Sequence, residues 1–503
     1  MRRFIPLAAA CVLGIAVALG VLLSTGSPAP PDSGAAQVIP AGALAWLNVS
    51  LDRGRPEVRQ AQSLPGFALA RAVALARLGA ITGAGQGFAA EARPWIGDEA
   101  ALAVMPAGGA RASGLVVLAV RRPSAARRFL GSGRFPGGAV GALARGYMVI
   151  GSPPDVRAAL EVARGRMPSL AGNPAFQRVA AGEPPGRVLD LYASGVGTAR
   201  LLGGRGGFAG ALSTLLAPQD LTSLSVSLST APGGARVQVH RVLSAPVADA
   251  GRTIQPSLAA VAPAGAALFA ELADLPSQAP RLLSASSQLG VGGAVAPLLT
   301  RLGAALRAEG VDVHSVLRLF RGETAVSVTL TGRRPAVLVL ARARDQRQAR
   351  VQLAELEPAL ASLFPAASSG PGAAPLFTSR LVNGITIHQL DLGPGLQLDY
   401  AVWRGLIGVS TGVAALAQAS RRAAPSLSGE RGYRTAVGSS GEPVGSLVFL
   451  DLRVLLRLGE QTGLLRGTSL GPLAPVLGRI RAIGLRSTSE KTDSTAELYL
   501  EIP

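Results

Sequence analysis

Val38-Ile39-Pro40-Ala41-Gly42-Ala43 recurs as Val261-Ala262-Pro263-Ala264-Gly265-Ala266, 223 residues downstream. Each copy runs into an apolar strand, Leu44 to Leu51 and Ala267 to Leu272, with Trp46 opposite Phe269. Further out, Pro94-Trp95-Ile96-Gly97-Asp98 faces Leu319-Phe320-Arg321-Gly322-Glu323 at an offset of 225, and Leu115 to Ala119 faces Val337 to Ala341 at 222. A preserved order at a nearly fixed offset is the mark of a duplicated unit. The offset then rises: Arg145-Gly146 matches Arg404-Gly405 at 259, Pro168-Ser169-Leu170 matches Pro425-Ser426-Leu427 at 257, and Gly182-Glu183-Pro184 matches Gly441-Glu442-Pro443 at 259. The second copy therefore holds an insert of about 35 residues, within 359–401. There, Gly384 to Leu390 and Leu396 to Tyr400 alternate around a Gly-Pro-Gly turn, which predicts an extra hairpin.

Both copies close on two alternating strands, Leu224 to Leu228 with Val237 to Val239, and Ala482 to Ser487 with Ala496 to Leu500. Amphipathic helices lie between the strands. In Asp155 to Ala163, for example, Val156, Ala159, Leu160 and Ala163 share one face, and Pro154 and Asp155 mark the start. Further helices are predicted at 55–78 and 297–307. Strands with one polar face pair antiparallel beneath covering helices. The fold class is therefore α+β: two tandem duplicated domains of mainly antiparallel sheet with packed helices, preceded by one N-terminal transmembrane helix. The domains span 37–244 and 259–503, joined by a linker at 245–258, and each is long enough to bury its own core.

Ahead of them, Arg2 and Arg3 precede an uncharged stretch at 4–23, FIPLAAACVLGIAVALGVLL. At ~1.5 Å per residue this helix is about 30 Å long, one hydrocarbon core. Positive charge on the short N-terminal flank leaves a tip of residues 1–3 in the cytoplasm and the body on the extracytoplasmic side of the cell membrane. A cleaved signal peptide is the rival, with a cut at Ser33-Gly34-Ala35-Ala36, but its apolar core is normally shorter. Cys11 sits inside this run and reads as a small apolar residue rather than a lipidated one. Residues 24–36, rich in Pro, Ser, Gly and Ala, read as an extended stalk.

The remaining composition restricts chemistry. Of 503 residues, 48% are apolar and 16% charged, and a single Cys excludes an intrachain disulfide. Lys491 is the lone lysine, so 48 of the 49 basic residues are Arg, and the net charge is +19. With no run of five basic residues, nucleic acid is not the expected partner. The counter-charge to which an exported cationic body points is an anionic lipid surface or a wall polymer. Gly467-Thr468-Ser469-Leu470-Gly471 fits a hydrolase elbow only in pattern, because a helix precedes it and Pro472 follows. A Ser469 nucleophile would need one of His240, His314 or His388 as its base. Gly83 to Gly87 and Gly203 to Gly207 lack the dinucleotide spacing and read as loops. Glu309, Asp312 and His314 have ligand chemistry, but Asp312 reads better as a helix cap. Asp190 and Asp451, each in a Leu-Asp-Leu setting at a strand end, also read as caps, and the paired Trp46/Phe269 and Trp95/Phe320 as core.

The N-terminal anchor, the Val-x-Pro-Ala-x-Ala strand opening, Gly97-Asp98-Glu99-Ala100-Ala101 and the Arg-Gly-x strand before a helix together resemble the bacterial family called domain of unknown function 3352. The resemblance implies an envelope protein of uncharacterised role and supplies no catalytic residues. The expectation is a binding or scaffolding protein, not an enzyme, without catalytic, metal or cofactor site and with protein partners undefined. Its alternatives are a carrier of an apolar or lipid ligand in a cavity between sheet and helices and, more remotely, a serine hydrolase.

Overall fold

The computed structural model describes residues 33–63, 85–108, 111–132, 135–202, 220–246, 250–278, 318–331, 334–363, 377–393, 396–438, 442–462 and 478–502, with positions 78, 80 and 82. The apolar segment at 4–23, most of the stalk, and the helix read at 297–307 lie outside these residues. Chain contacts define two α+β units, one of residues up to Pro246 with Thr492–Glu497 and Ile502, the other of Val247–Lys491 with Leu498–Glu501 and Pro503. All strand pairings named below are antiparallel.

The first unit contains β1 (Ala45–Ser50), β2 (Ile96–Pro106), β3 (Ala112–Val120), β4 (Val140–Ala144), β5 (Tyr147–Gly151), β6 (Arg187–Ser194), β7 (Leu221–Ala231) and β8 (Gly234–Leu243). They pair in the order β4-β5-β3-β2-β1-β6-β7-β8. Its helices are α1 (Pro56–Ser63), α2 (Phe88–Ala92), α3 (Pro123–Gly131), α4 (Pro153–Ala163), α5 (Pro174–Ala180) and α6 (Gly195–Leu202). Within the stretch read as helix at 55–78, α1 accounts for the described part.

One expectation fails at β3: its Leu115, Val116, Val117 and Leu118 are all buried, so this strand has no polar face. Leu115 and Val117 join the core beneath α4 and α5, while Val116 and Leu118 join Phe88, Trp95 and Phe129 beneath α2 and α3. Helices cover both faces here, which an uninterrupted apolar strand requires. The stalk reading fails at its last residues. Gly34–Gln37 form a 3₁₀ turn, Ala35 and Ala36 are fully buried, and Ala35 N donates to both carboxylate oxygens of Glu99 at 3.1 Å. Helix α4 begins earlier than read, at Pro153. Asp155 N donates to Ser152 Oγ, and prolines fill the first two positions, where no N–H is needed.

The second unit contains β9 (Ala266–Asp274), β10 (Arg321–Thr331), β11 (Arg334–Arg342), β12 (Thr378–Val382), β13 (Ile385–Gly393), β14 (Leu396–Trp403), β15 (Leu406–Ser410), β16 (Ser446–Asp451) and β17 (Ala482–Glu490); the last strand of the chain, β18 (Asp493–Glu501), belongs to the first unit up to Glu497 and to the second from Leu498. The order from β12 to β17 is β12-β13-β14-β15-β11-β10-β9-β16-β17. Helices α7 (Gln346–Leu363), α8 (Val413–Ser420), α9 (Arg431–Val437) and α10 (Leu452–Thr462) accompany it. The two strands read in the insert pair as β13 and β14, with His388 opposite Tyr400, but β14 holds the place beside β15 that β4 holds beside β5, so the added strands are β12 and β13 and not β13 and β14. Strand β12 adds a third that the sequence did not reveal, because four of its five residues are exposed and leave no alternation to see.

The repeated Arg-Gly pairs have a backbone reason. Arg145 and Gly146 (φ 44° and 83°) link β4 to β5, and Arg404 and Gly405 (φ 45° and 72°) link β14 to β15. A two-residue hairpin with both φ positive matches the natural twist of its strands. Gly484 of β17 answers to packing instead, since a Cβ there would lie 2.0 Å from the Ala436 carbonyl oxygen of α9. Gly484→Ala is expected to destabilise the second unit by roughly 2–3 kcal/mol. The check is the urea midpoint of that unit's unfolding, and an unchanged midpoint refutes the close packing.

Candidate functional site

The two aspartates read as matching caps part company. Asp451 Oδ1 accepts from Arg453 N and Val454 N at 3.0 and 3.1 Å and caps α10 as expected. Asp190 does not cap. It lies inside β6, opposite Asn48 of β1, and is only 1% exposed. Because β6 continues to Ser194 before α6 begins, the helix amides lie beyond its side chain.

Asp190 instead belongs to a buried ion cluster. Arg187 Nε lies 2.5 Å from Asp190 Oδ1 and 3.2 Å from Glu183 Oε2, and buried Arg55 donates from Nη2 to the Pro185 carbonyl at 3.3 Å. Burial pushes the Asp190 carboxyl up to about 6 against the pull of Arg187 and Arg55. Burial and the charge of Asp190 push Glu183 up to about 8. Asp190 therefore carries the charge that Arg187 offsets at neutral pH, while Glu183 is largely protonated and Arg55 also lies 3.8 Å from Glu57.

The second unit contains a pair of carboxyl groups. Fully buried Glu271 on β9 accepts through Oε1 from Ser257 N at 2.9 Å and Leu258 N at 3.0 Å. Glu323 on β10 accepts through Oε1 from Ser257 N and Oγ, each at 2.6 Å, and through Oε2 from Arg342 Nε at 3.0 Å. Arg342 Nη2 completes the network by donating to Ser257 Oγ at 2.6 Å. Burial and the contact with Glu323 push Glu271 up to about 8. Burial opposes the charge on Glu323 as well, but hydrogen bonds from Glu271, Ser257 and Arg342 outweigh it and hold that carboxyl below the usual range. Glu271 therefore keeps a proton at neutral pH while Glu323 stays ionised.

A third cluster joins α7 to the hairpin. Tyr400 OH donates to Glu357 Oε1 at 2.5 Å, His388 Nδ1 lies 2.8 Å from the same oxygen, and the His388 and Tyr400 rings stack with centroids 4.6 Å apart. Burial, then Glu357, raises the Tyr400 phenol above its ordinary value. Beside Tyr400, fully buried Asp399 has no hydrogen-bond partner on either carboxyl oxygen among the described residues, and burial pushes it up to about 6.

None of these clusters was named from sequence. Glu271 left a signal, an acid inside the apolar run of β9. Glu183, Arg187 and Asp190 lie within eight residues but left none, because positions i and i+3 of a regular strand face opposite sides, and the register shift between Arg187 and Leu189 of β6 has no local sequence pattern. Of the histidines, His240 Nδ1 lies 3.4 Å from the Val179 carbonyl and His388 meets Glu357. Ser469, Glu309, Asp312, His314, Cys11 and Gly203 to Gly207 lie outside the described residues. Gly85–Gly87 form a 3₁₀ turn, and Lys491 occupies the turn between β17 and β18. Trp46, Trp95 and Phe269 are core residues, and Phe320 is half-buried. Among the described residues no three His, Cys, Asp or Glu converge on a metal position, and no helix is long and apolar enough to cross a membrane.

No curated protein matches the chain. Crystal forms I and IV of TP0453 are similar to it at 10% and 12% identity, over 41% of this chain and 78% and 79% of theirs. Both have a TM-score of 0.23, at which no shared fold follows. Residues 5–135 match the family described as Protein of unknown function (DUF3352), the family that the motifs of this stretch resemble.

Proposed function

We propose that the protein is a membrane-anchored, extracytoplasmic binding or scaffolding protein built from two copies of one α+β unit, with an anionic lipid or wall polymer as its counter-charge. The observation that carries the binding reading is the way its buried acids are used. Asp190 and Glu183 are engaged by Arg187, and Glu271 and Glu323 by Ser257, Leu258 and Arg342. The charge left facing solvent is mainly arginine, which suits a partner of opposite sign rather than an acid–base reaction.

Duplication is supported by matching strand orders, β4-β5-β3-β2-β1-β6-β7 beside β14-β15-β11-β10-β9-β16-β17. An aromatic trio recurs as well. Trp46, Phe176 and Tyr192 pack edge to face with centroids 5.2 and 5.3 Å apart, and Phe269, Tyr433 and Phe449 do so at 6.1 and 5.4 Å. The partners are offset by 223 and 257 residues, the values at which the sequence matches itself. The anchor rests on the length of the apolar run after Arg2 and Arg3.

Carbonate extraction of membranes containing the full chain tests the anchor, and the protein is expected to stay in the pellet. Soluble protein with a new N-terminus near Ala36 would overturn it. Native mass spectrometry of the chain purified from its own membrane separates binding from carriage, because a stoichiometric apolar ligand inside the body would replace the scaffold reading with a carrier.

A further inference from the structure

We infer that a cleft at the start of α7 in the second unit binds a phosphate group. The cleft has a volume of about 460 Å³, and Arg318, Arg321, Arg342 and Arg344 line it together with Asp345 and Gln348. That volume lies within the range of small-ligand sites.

The four arginines come from separate parts of the fold. Arg321 opens β10, Arg342 closes β11, and Arg344 lies in the connection to α7. The ladder ends with Thr324 opposite Ala341, so the start of β10 and the end of β11 lie at the same edge and Arg321, Arg342 and Arg344 line one cleft there. Such like charges repel unless something anionic lies between them. The local acids are already engaged. Asp345 Oδ1 accepts from Arg347 N and Gln348 N at 2.8 and 3.0 Å, capping α7. Glu323 is held by Arg342 and Ser257, and Asp274, across the ladder from Arg321, is paired with Arg252. Among the described residues, no carboxylate lies within ion-pairing distance of Arg321 or Arg344, and both side chains are exposed. Arg342 is locked in place by Glu323 and Ser257, so one guanidinium of the cleft is already oriented.

Forked guanidinium donors suit a tetrahedral phosphate oxyanion better than a single point charge does. The phosphate could be free or could be the headgroup of a lipid. The site deepens the binding reading proposed above and rests on it. Its test is made in neutral detergent, where failure to bind is distinct from failure to anchor in a membrane.

The test titrates the full chain with sodium phosphate and, separately, with monomeric dihexanoyl-phosphatidylglycerol, following ³¹P line broadening at constant ionic strength. Broadening by phosphate alone supports a free anion as the source. At least tenfold tighter binding of the short-chain lipid supports a headgroup. The double variant Arg321→Gln/Arg344→Gln, which removes two exposed side chains, is expected to weaken binding at least tenfold. Arg127→Gln/Arg128→Gln on α3 loses the same charge elsewhere and is expected to leave binding unchanged. Absence of broadening with either probe, unchanged binding in the cleft variant, or equal losses in both variants each overturns the proposal.

Discussion

Arg187→Met is expected to destabilise the first unit by roughly 3–5 kcal/mol at pH 7, the cost of leaving buried acids without their partner. Arg187 is the group that both Asp190 and Glu183 contact, and their side chains are 1% and 4% exposed. Glu183, pushed up to about 8, is already largely protonated at that pH, so the penalty falls mainly on Asp190, whose value is about 6. Adding Asp190→Asn removes the stranded charge and is expected to restore most of the loss. Urea unfolding of the single and double variants measures this coupling. A single variant within 1 kcal/mol of the parent, or a double variant no better than the single, would show that the cluster does not hold the sheet.

The second large effect is a dependence on pH. Glu271 is raised to about 8 in the folded chain, whereas an unfolded glutamate titrates near 4.3. Between those values the folded state holds a proton that the unfolded state has released, so stability falls as pH rises. Its contribution is complete below about pH 4.3 and is lost as pH climbs through about 8. Glu323, held low, acts in the opposite sense, but its contribution is lost only as pH falls into the acid range. Hydrogen exchange of β9 and β16 amides is therefore expected to show less protection at pH 9 than at pH 6. Glu271→Gln, which mimics the protonated acid, is expected to flatten that dependence. At pH 9 it should exceed the parent in stability by roughly 2–4 kcal/mol, the order set by the size of the shift. Equal slopes in parent and variant would mean that Glu271 is ionised in the folded protein.

Several elements were legible because their signal is local. Strands β1, β9, β3 and β11 appear as apolar runs, α4 as a stripe at helical spacing, and the Arg-Gly turns as matched pairs 259 residues apart. Edge strand β12 escaped because its exposed residues carry no alternation. The sites escaped for a different reason. Leu-Asp-Leu surrounds both Asp190 and Asp451, yet one side chain is buried in a sheet and the other caps a helix. What separates them is where each strand stops, and no tripeptide records that.

The sequence by itself determined the α+β class, the antiparallel pairing and the repeated motif order, because hydrophobic period and turn chemistry act over a few residues. Only the tertiary structure decided which acids meet which arginines, that β3 is covered on both faces, and that four guanidinium groups line one cleft. Those outcomes depend on strand register and burial, which bring together residues far apart in the chain and set the electrostatic environment in which each one titrates.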